Sequence, residues 1–305
     1  MLGLGLGLLA ALLYGAADFI GGLASRRSST FSVVVISQAA GLLLFFILLP
    51  LLPHAAAARS DFGWGLAAGV SGGIGIVLLY RGLAIGRMSM VSPVTAVLAA
   101  LIPLAAGLLR HERPSALSLT GVALALVAVV LVSASQHPSE PAPHGGERGL
   151  DPTAGQPLAR ARILGTWPPG LIEALLSGVA IGGFLLFLAQ SSHSAGLWPL
   201  AAARVSSIVL FSVIALAARR PLKPQPRSLT PIVGAGVLDM SANACYLLAT
   251  RHGLLSLVVV LASLYPASTV LLARLVLNER LTSTQMAGVG CSLAAIALIA
   301  GGSHV

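Results

Sequence analysis

LDMSANACYLLATRHGLLSLVVVLASLYPASTVLLARLVLNER, residues 238–280, decides the fold. Two apolar runs flank the short polar turn from Thr250 to Gly253. Extended outward they become candidate spans 230–250 and 255–276, each close to the ~20 residues a helix needs to cross a bilayer. So short a connection makes the two helices antiparallel neighbours. Asp239 lies near the middle of the first run, with Asn243 four residues on and so on the same helical face. A carboxylate at membrane depth is expensive, which makes it a functional candidate.

Cutting the rest of the chain at charges, prolines and Gly/Ser clusters gives eight more spans: 3–23, 31–52, 62–82, 89–109, 115–133, 169–190, 198–218 and 283–301. Period-2 alternation is absent, which excludes a β-barrel. The first run has no basic stretch before it and no small-residue cleavage site, so it reads as a first helix rather than a removed leader. The fold class expected is all-α and integral to the membrane, with ten transmembrane helices.

Composition agrees. Of 305 residues 56% are hydrophobic and 9% charged, against about 25% charged in a soluble domain, and the mean hydropathy is +0.93. The basic balance, 18 Lys+Arg against 9 Asp+Glu, does not indicate nucleic acid. The charges sit singly or in pairs between apolar runs, without the clustered basic face such a partner requires. Cys245 and Cys291 lie in apolar stretches and read as small buried residues. His137 and His144 stand seven apart in a polar connection with no Cys or carboxylate pattern, so no metal is expected. The glycine runs at 3–7 and 71–75 follow no strand and precede no Lys. They serve close helix packing rather than phosphate binding. No cofactor is implied.

The connection 134–168 is rich in Pro, Gly, Ser and charge and reads as a flexible polar linker. It joins two similar units, 1–133 and 169–305. Glu112-Arg113 and Glu279-Arg280 are 167 residues apart, as are Gly69 and Gly236, Gly86 and Gly253, Ser89 and Ser256, and Gly121 and Gly288. Five spans is an odd number, so the second unit enters the membrane from the other side. Such inverted repeats are the architecture of secondary transporters, with the binding site near the midplane between the repeats.

Three stretches carry a family resemblance: YRGLAIGRMSMVSP at 80–93, LLRHERPSALSLTG at 108–121, and the stretch at 238–280. Together they resemble the EamA-type permeases of the drug/metabolite transporter (DMT) superfamily. The resemblance covers all ten spans and implies two inverted five-helix EamA-like halves around a central cavity. It also implies export of small metabolites by alternating access, without naming the substrate. The halves differ in one respect. Pro266 lies 13 residues before Glu279 while Pro103 lies nine before Glu112, so any kink falls one turn differently in the two halves.

Polar residues well inside the spans include Asp18, Gln38, Arg204, Asp239 and Asn243, while Arg274 lies near the end of its span. At 1.5 Å per residue, Arg204 lies about 10 Å and Asp239 about 15 Å below the same surface. An Arg side chain bridges that difference, so the two are expected to pair. Asp18 and Gln38 fall nearer the other surface, which predicts two polar layers flanking the midplane. In that arrangement Arg204 meets a substrate carboxylate, and Asp239 or Asp18 an ammonium or a coupling proton. The competing reading is a buried pair that only joins two helices, with Asp18 wetted at the interface beside Arg26 or Arg27. Tyr14 and Tyr265 are deep enough to line a cavity or to pack in the core. Trp198 reads as an interfacial anchor. Glu112, Arg113, Glu279 and Arg280 read as structural loop pairs that cap or register short turns.

Twelve basic residues follow the odd-numbered spans and four the even-numbered ones. The positive-inside rule therefore places both termini outside, whereas the resemblance implies both inside. The partners expected are the bilayer and a small-molecule substrate. No His lies in a span and no nucleophile set is visible, so an enzyme is not expected. The function expected is secondary export of amino acids, similar small polar metabolites, or drugs. The alternative is a flippase for lipid or lipid-linked sugar, which a lateral opening between helices favours.

Overall fold

The computed structural model describes residues 2–25, 27–52, 54–86, 88–133, 169–277 and 282–302. Among these the regular structure is entirely helical: α1 (Leu2–Ser25), α2 (Thr30–Leu48), α3 (Arg59–Ile85), α4 (Met88–Leu109), α5 (Ala116–Ser133), α6 (Leu171–Ala189), α7 (Trp198–Ala217), α8 (Leu229–Thr250), α9 (Leu255–Ala262), α10 (Tyr265–Leu277) and α11 (Ser283–Gly302). By length and composition α1, α2, α3, α6, α7 and α8 could each cross a membrane. Shorter apolar helical stretches run over Val94–Leu109, Ala116–Leu131, Leu255–Thr269 and Ser283–Ile299. The periphery is apolar, with Leu43, Val209 and Leu293 all more than half exposed, as expected where the solvent is lipid.

The span expected at 255–276 is two helices. The break falls at Ser263 and Leu264, where the chain tightens through the bonds Leu264 N–H to Leu261 O and Ala267 N–H to Leu264 O. Pro266 is the physical reason: it has no N–H to return to the Ala262 carbonyl, and it is tolerated in the first turn of a new helix. Pro103 sits within a continuous α4. The two halves thus differ in kind, not merely by one turn.

Packing across the halves is symmetric under their exchange. α3 packs on α6 and α7 while α8 packs on α1 and α2; α4 packs on α6 while α1 packs on α9 and α10; α5 packs on α11. Gly69 and Gly236, 167 residues apart, hold equivalent crossings. A Cβ on Gly69 would collide with the Ala203 carbonyl of α7, and one on Gly236 with the Ser37 carbonyl of α2.

α1 begins and α11 ends at one end of the bundle, here called the terminal face. Polar ties close it. Glu112, between α4 and α5, accepts the N–H groups of Leu255 and Ser256 at 3.0 Å each, capping α9. Ser115 Oγ donates to the Gly302 carbonyl. Arg251 Nη2 donates to the Gly196 carbonyl at 2.6 Å and to that of Ser192 at 3.2 Å. On the opposite face the described ion pair is Arg81–Glu173 at 3.5 Å, with the Arg81 side chain 66% exposed, a geometry that contributes little.

Candidate functional site

A cavity of about 70 Å³, room for a few waters, lies between the halves. Small residues of α3 (Gly69, Gly72, Gly73) form one wall and apolar residues of α6 (Ile181, Phe184, Leu185) another. Into this apolar chamber project Tyr14, Asp18, Gln38, Arg204, Asp239, Asn243 and Tyr265, all seven of the pathway residues proposed from the sequence.

Arg204 is the centre of the cluster, 5% exposed on α7. Its Nη2 lies 2.7 Å from Asp239 Oδ2 on α8, the pairing that depth arithmetic anticipates. Its Nη1 donates to Gln38 Oε1 on α2. That contact corrects the expectation of two separate polar layers: Gln38 belongs to the same layer as Arg204 and Asp239. The long guanidinium side chain erases the few ångströms of depth that separate the backbones. Nη1 is thereby hydrogen-bonded and Nη2 ion-paired, while Nε and Nη2 have no hydrogen-bond partner among the described residues.

Tyr14 Oη on α1 donates to Asn243 Oδ1 at 2.7 Å, and Asn243 Nδ2 donates to the Asp239 carbonyl at 2.7 Å, one turn back. Tyr14 is therefore a cavity residue and braces the same α8 face that carries Asp239. Asp18, one turn after Tyr14, forms no ion pair among the described residues. Arg27 is exposed and does not reach it, and Arg26 lies outside the described residues. Asp18 and Asp239 line the same cavity, so the described cluster sets two carboxyl groups against one guanidinium. Tyr265, 8% exposed, begins α10 just after the break and faces the chamber. Among the described residues no group of His, Cys, Asp or Glu is arranged to hold a metal ion.

Trp198 packs edge-on against Phe45 at 5.4 Å and lies tilted to Phe62 at 6.2 Å. It opens α7 at the terminal face, the level expected of an anchor. Of the loop pairs, Glu112 caps α9, Arg113 is exposed, and Glu279 and Arg280 lie outside the described residues. Cys245 and Cys291 are half-buried free thiols.

Sequence reasoning missed Asp61. It is 2% exposed in the first turn of α3 and accepts three hydrogen bonds: from Ala58 N–H at 2.8 Å, Ser192 N–H at 2.7 Å and Ser192 Oγ at 2.9 Å. An acid in a first turn is an available signal, but Ser192 is 131 residues away and nothing local names it.

The family described as "EamA-like transporter family" matches residues 1–134 and 168–301. No curated protein matches significantly, while 28 chains of solved structures do. One, described only as a crystal structure of a protein, aligns with a TM-score of 0.62 and 14% identity over 96% of this chain and 94% of its own; it is similar in fold. The chain belongs to the EamA-like transporter family, and is a multi-pass membrane transporter of the drug/metabolite transporter superfamily.

Proposed function

We propose that this transporter exports small polar metabolites such as amino acids, or drugs, across the cell (inner) membrane. It does so by alternating access of two inverted five-helix repeats, 1–133 and 169–305, around the central cavity. The observation that carries the reading is the charged cluster. Asp18, Arg204 and Asp239 line one chamber between the halves, where unneeded charge is costly. The exchange-symmetric packing supports the repeat.

The cluster also bears on the substrate. Arg204 is occupied by Asp239 and Gln38, so an incoming carboxylate has to displace one of them to reach the guanidinium. Asp18, which has no ion pair among the described residues, takes the cationic partner, an ammonium group or a coupling proton. A zwitterion satisfies both. With no nucleotide-binding motif in the sequence, the drive is an ion gradient or the substrate's own gradient.

The flippase alternative finds a lateral crevice between α1, α10 and α11. The wall between it and the central cavity is sealed by Ser268 Oγ donating to the Ala11 carbonyl and Thr269 Oγ1 to that of Gly15, which favours the polar-substrate reading.

Counterflow in proteoliposomes, with labelled amino acids at pH 6 and 8, tests the proposal. Saturable exchange is expected, lost in Arg204→Ala and with its pH dependence abolished in Asp18→Asn. Exchange of no zwitterion by folded protein overturns the amino-acid assignment. Wild-type rates in both variants return the cluster to a structural role.

A further inference from the structure

The crevice between α1, α10 and α11 is much larger than the central chamber, about 570 Å³, and the transport reading does not use it. Leu12, Leu271, Met286 and Leu293 line it, each roughly half exposed or more. Two hydroxyls also line it, and both are turned away: Ser268 Oγ bonds the Ala11 and Tyr265 carbonyls, and Ser292 Oγ the Gly288 carbonyl. The crevice therefore offers hydrocarbon a surface and a polar group nothing. A void of this size beside close-packed helices forfeits dispersion contacts, and an apolar cavity does not retain water.

Its dimensions select the occupant. Along α11 the lining runs from Met286, near the helix start at the opposite face, to Ile296, past the middle, and on α1 it is carried by Leu8, Ala11 and Leu12 in the half nearer the terminal face, so the groove straddles the midplane. Ten residues of helix span about 15 Å, the hydrocarbon depth of one leaflet of a ~30 Å core. An apolar groove of that length, parallel to the helices and without polar demands, has the shape of a single extended chain. We infer that it is a binding site for one acyl chain of a phospholipid. The chain lies against Leu264, in the break between α9 and α10, while the next residue, Tyr265, faces the central cavity. Lipid and cavity thus share one hinge. The inference does not depend on what the transporter carries.

Native mass spectrometry of the full-length protein, purified in mild detergent and exchanged to remove loose lipid, tests it. The wild type is expected to retain one phospholipid per chain. Leu293→Trp, Met286→Trp and Leu12→Trp each fill the crevice from the bilayer side and are expected to lower that occupancy at least tenfold. Val209→Trp, equally exposed on α7 but outside the crevice, keeps it. Circular dichroism verifies that each variant is folded, and loss in any one folded crevice variant supports the site. A wild type that retains no lipid overturns the inference, as does equal retention in all folded variants. So does a wild-type dimer that Leu293→Trp dissociates, because a second copy is then the occupant.

Discussion

Asp61 holds Ser192 by both its amide and its hydroxyl, at 2.7 and 2.9 Å, tying the first turn of α3 to the loop between α6 and α7. Arg251 grips the same loop through the carbonyls of Ser192 and Gly196. The terminal face is thus closed by charge-assisted bonds, each worth about 1.5–3 kcal/mol. Asp61→Ala removes the two to Ser192 and leaves those of Arg251, and 1.4 kcal/mol already moves an equilibrium tenfold. A cysteine at Leu200, a lining residue in the first turn of α7, reports the opening when Cys245 and Cys291 are replaced by Ala. At least tenfold faster labelling by an impermeant thiol reagent from the terminal face is expected in Asp61→Ala. Unchanged labelling removes Asp61 from the gate.

The Arg204–Asp239 pair separates structure from function. Removing one member of a buried pair strands the other charge, at a cost of about 3–5 kcal/mol, whereas removing both often restores stability. Arg204→Ala and Asp239→Ala are each expected to lower the thermal midpoint in detergent, and the double variant to recover most of the loss. Transport decides the role. A stable double variant that carries no substrate places the pair in the pathway, and one that transports normally leaves it only joining α7 to α8.

Helices at all ten expected spans could be read from the sequence because apolar length survives any packing arrangement. The Arg204–Asp239 contact could be read because antiparallel neighbours share a depth scale. Gln38 could not, since assignment by backbone depth ignores the reach of the guanidinium to which it is bonded. Pro266 announces a distortion in span 9, but that it is a full break could not be read, since Pro103 leaves α4 continuous. Asp61 resembles any loop acid until its distant partner is in place.

Gly69 and Gly236 put the close crossings to a controlled test. Backbone carbonyls of Ala203 and Ser37 lie where a Cβ would go, and neither can rotate away. Gly69→Ala and Gly236→Ala are each expected to destabilise by more than about 2 kcal/mol, within the overpacking range. Gly234, in the same α8, has open space around its Cβ position. Gly234→Ala is expected to be neutral, or to stabilise by up to about 1 kcal/mol from helix propensity. Similar thermal midpoints for Gly234→Ala and Gly236→Ala refute the close approach.

Glu112 ends the fourth span in sequence yet acts on the ninth. Both its carboxylate oxygens accept from the α9 start, Leu255 N–H and Ser256 N–H, at 3.0 Å each. Those amides have no intrahelical acceptor, and a carboxylate at that end also meets the positive pole of the helix. α9 has only eight residues before its break, too few to hold together on local bonds alone, so the cap matters more here than on a long helix. Glu112→Ala is expected to cost about 1–2 kcal/mol. It should speed hydrogen exchange across Leu255–Val258 before any other segment responds, while Glu112→Gln, which keeps one acceptor oxygen, falls between. Exchange that rises evenly over the whole bundle, or not at all, shows that α9 is held by packing rather than by its cap.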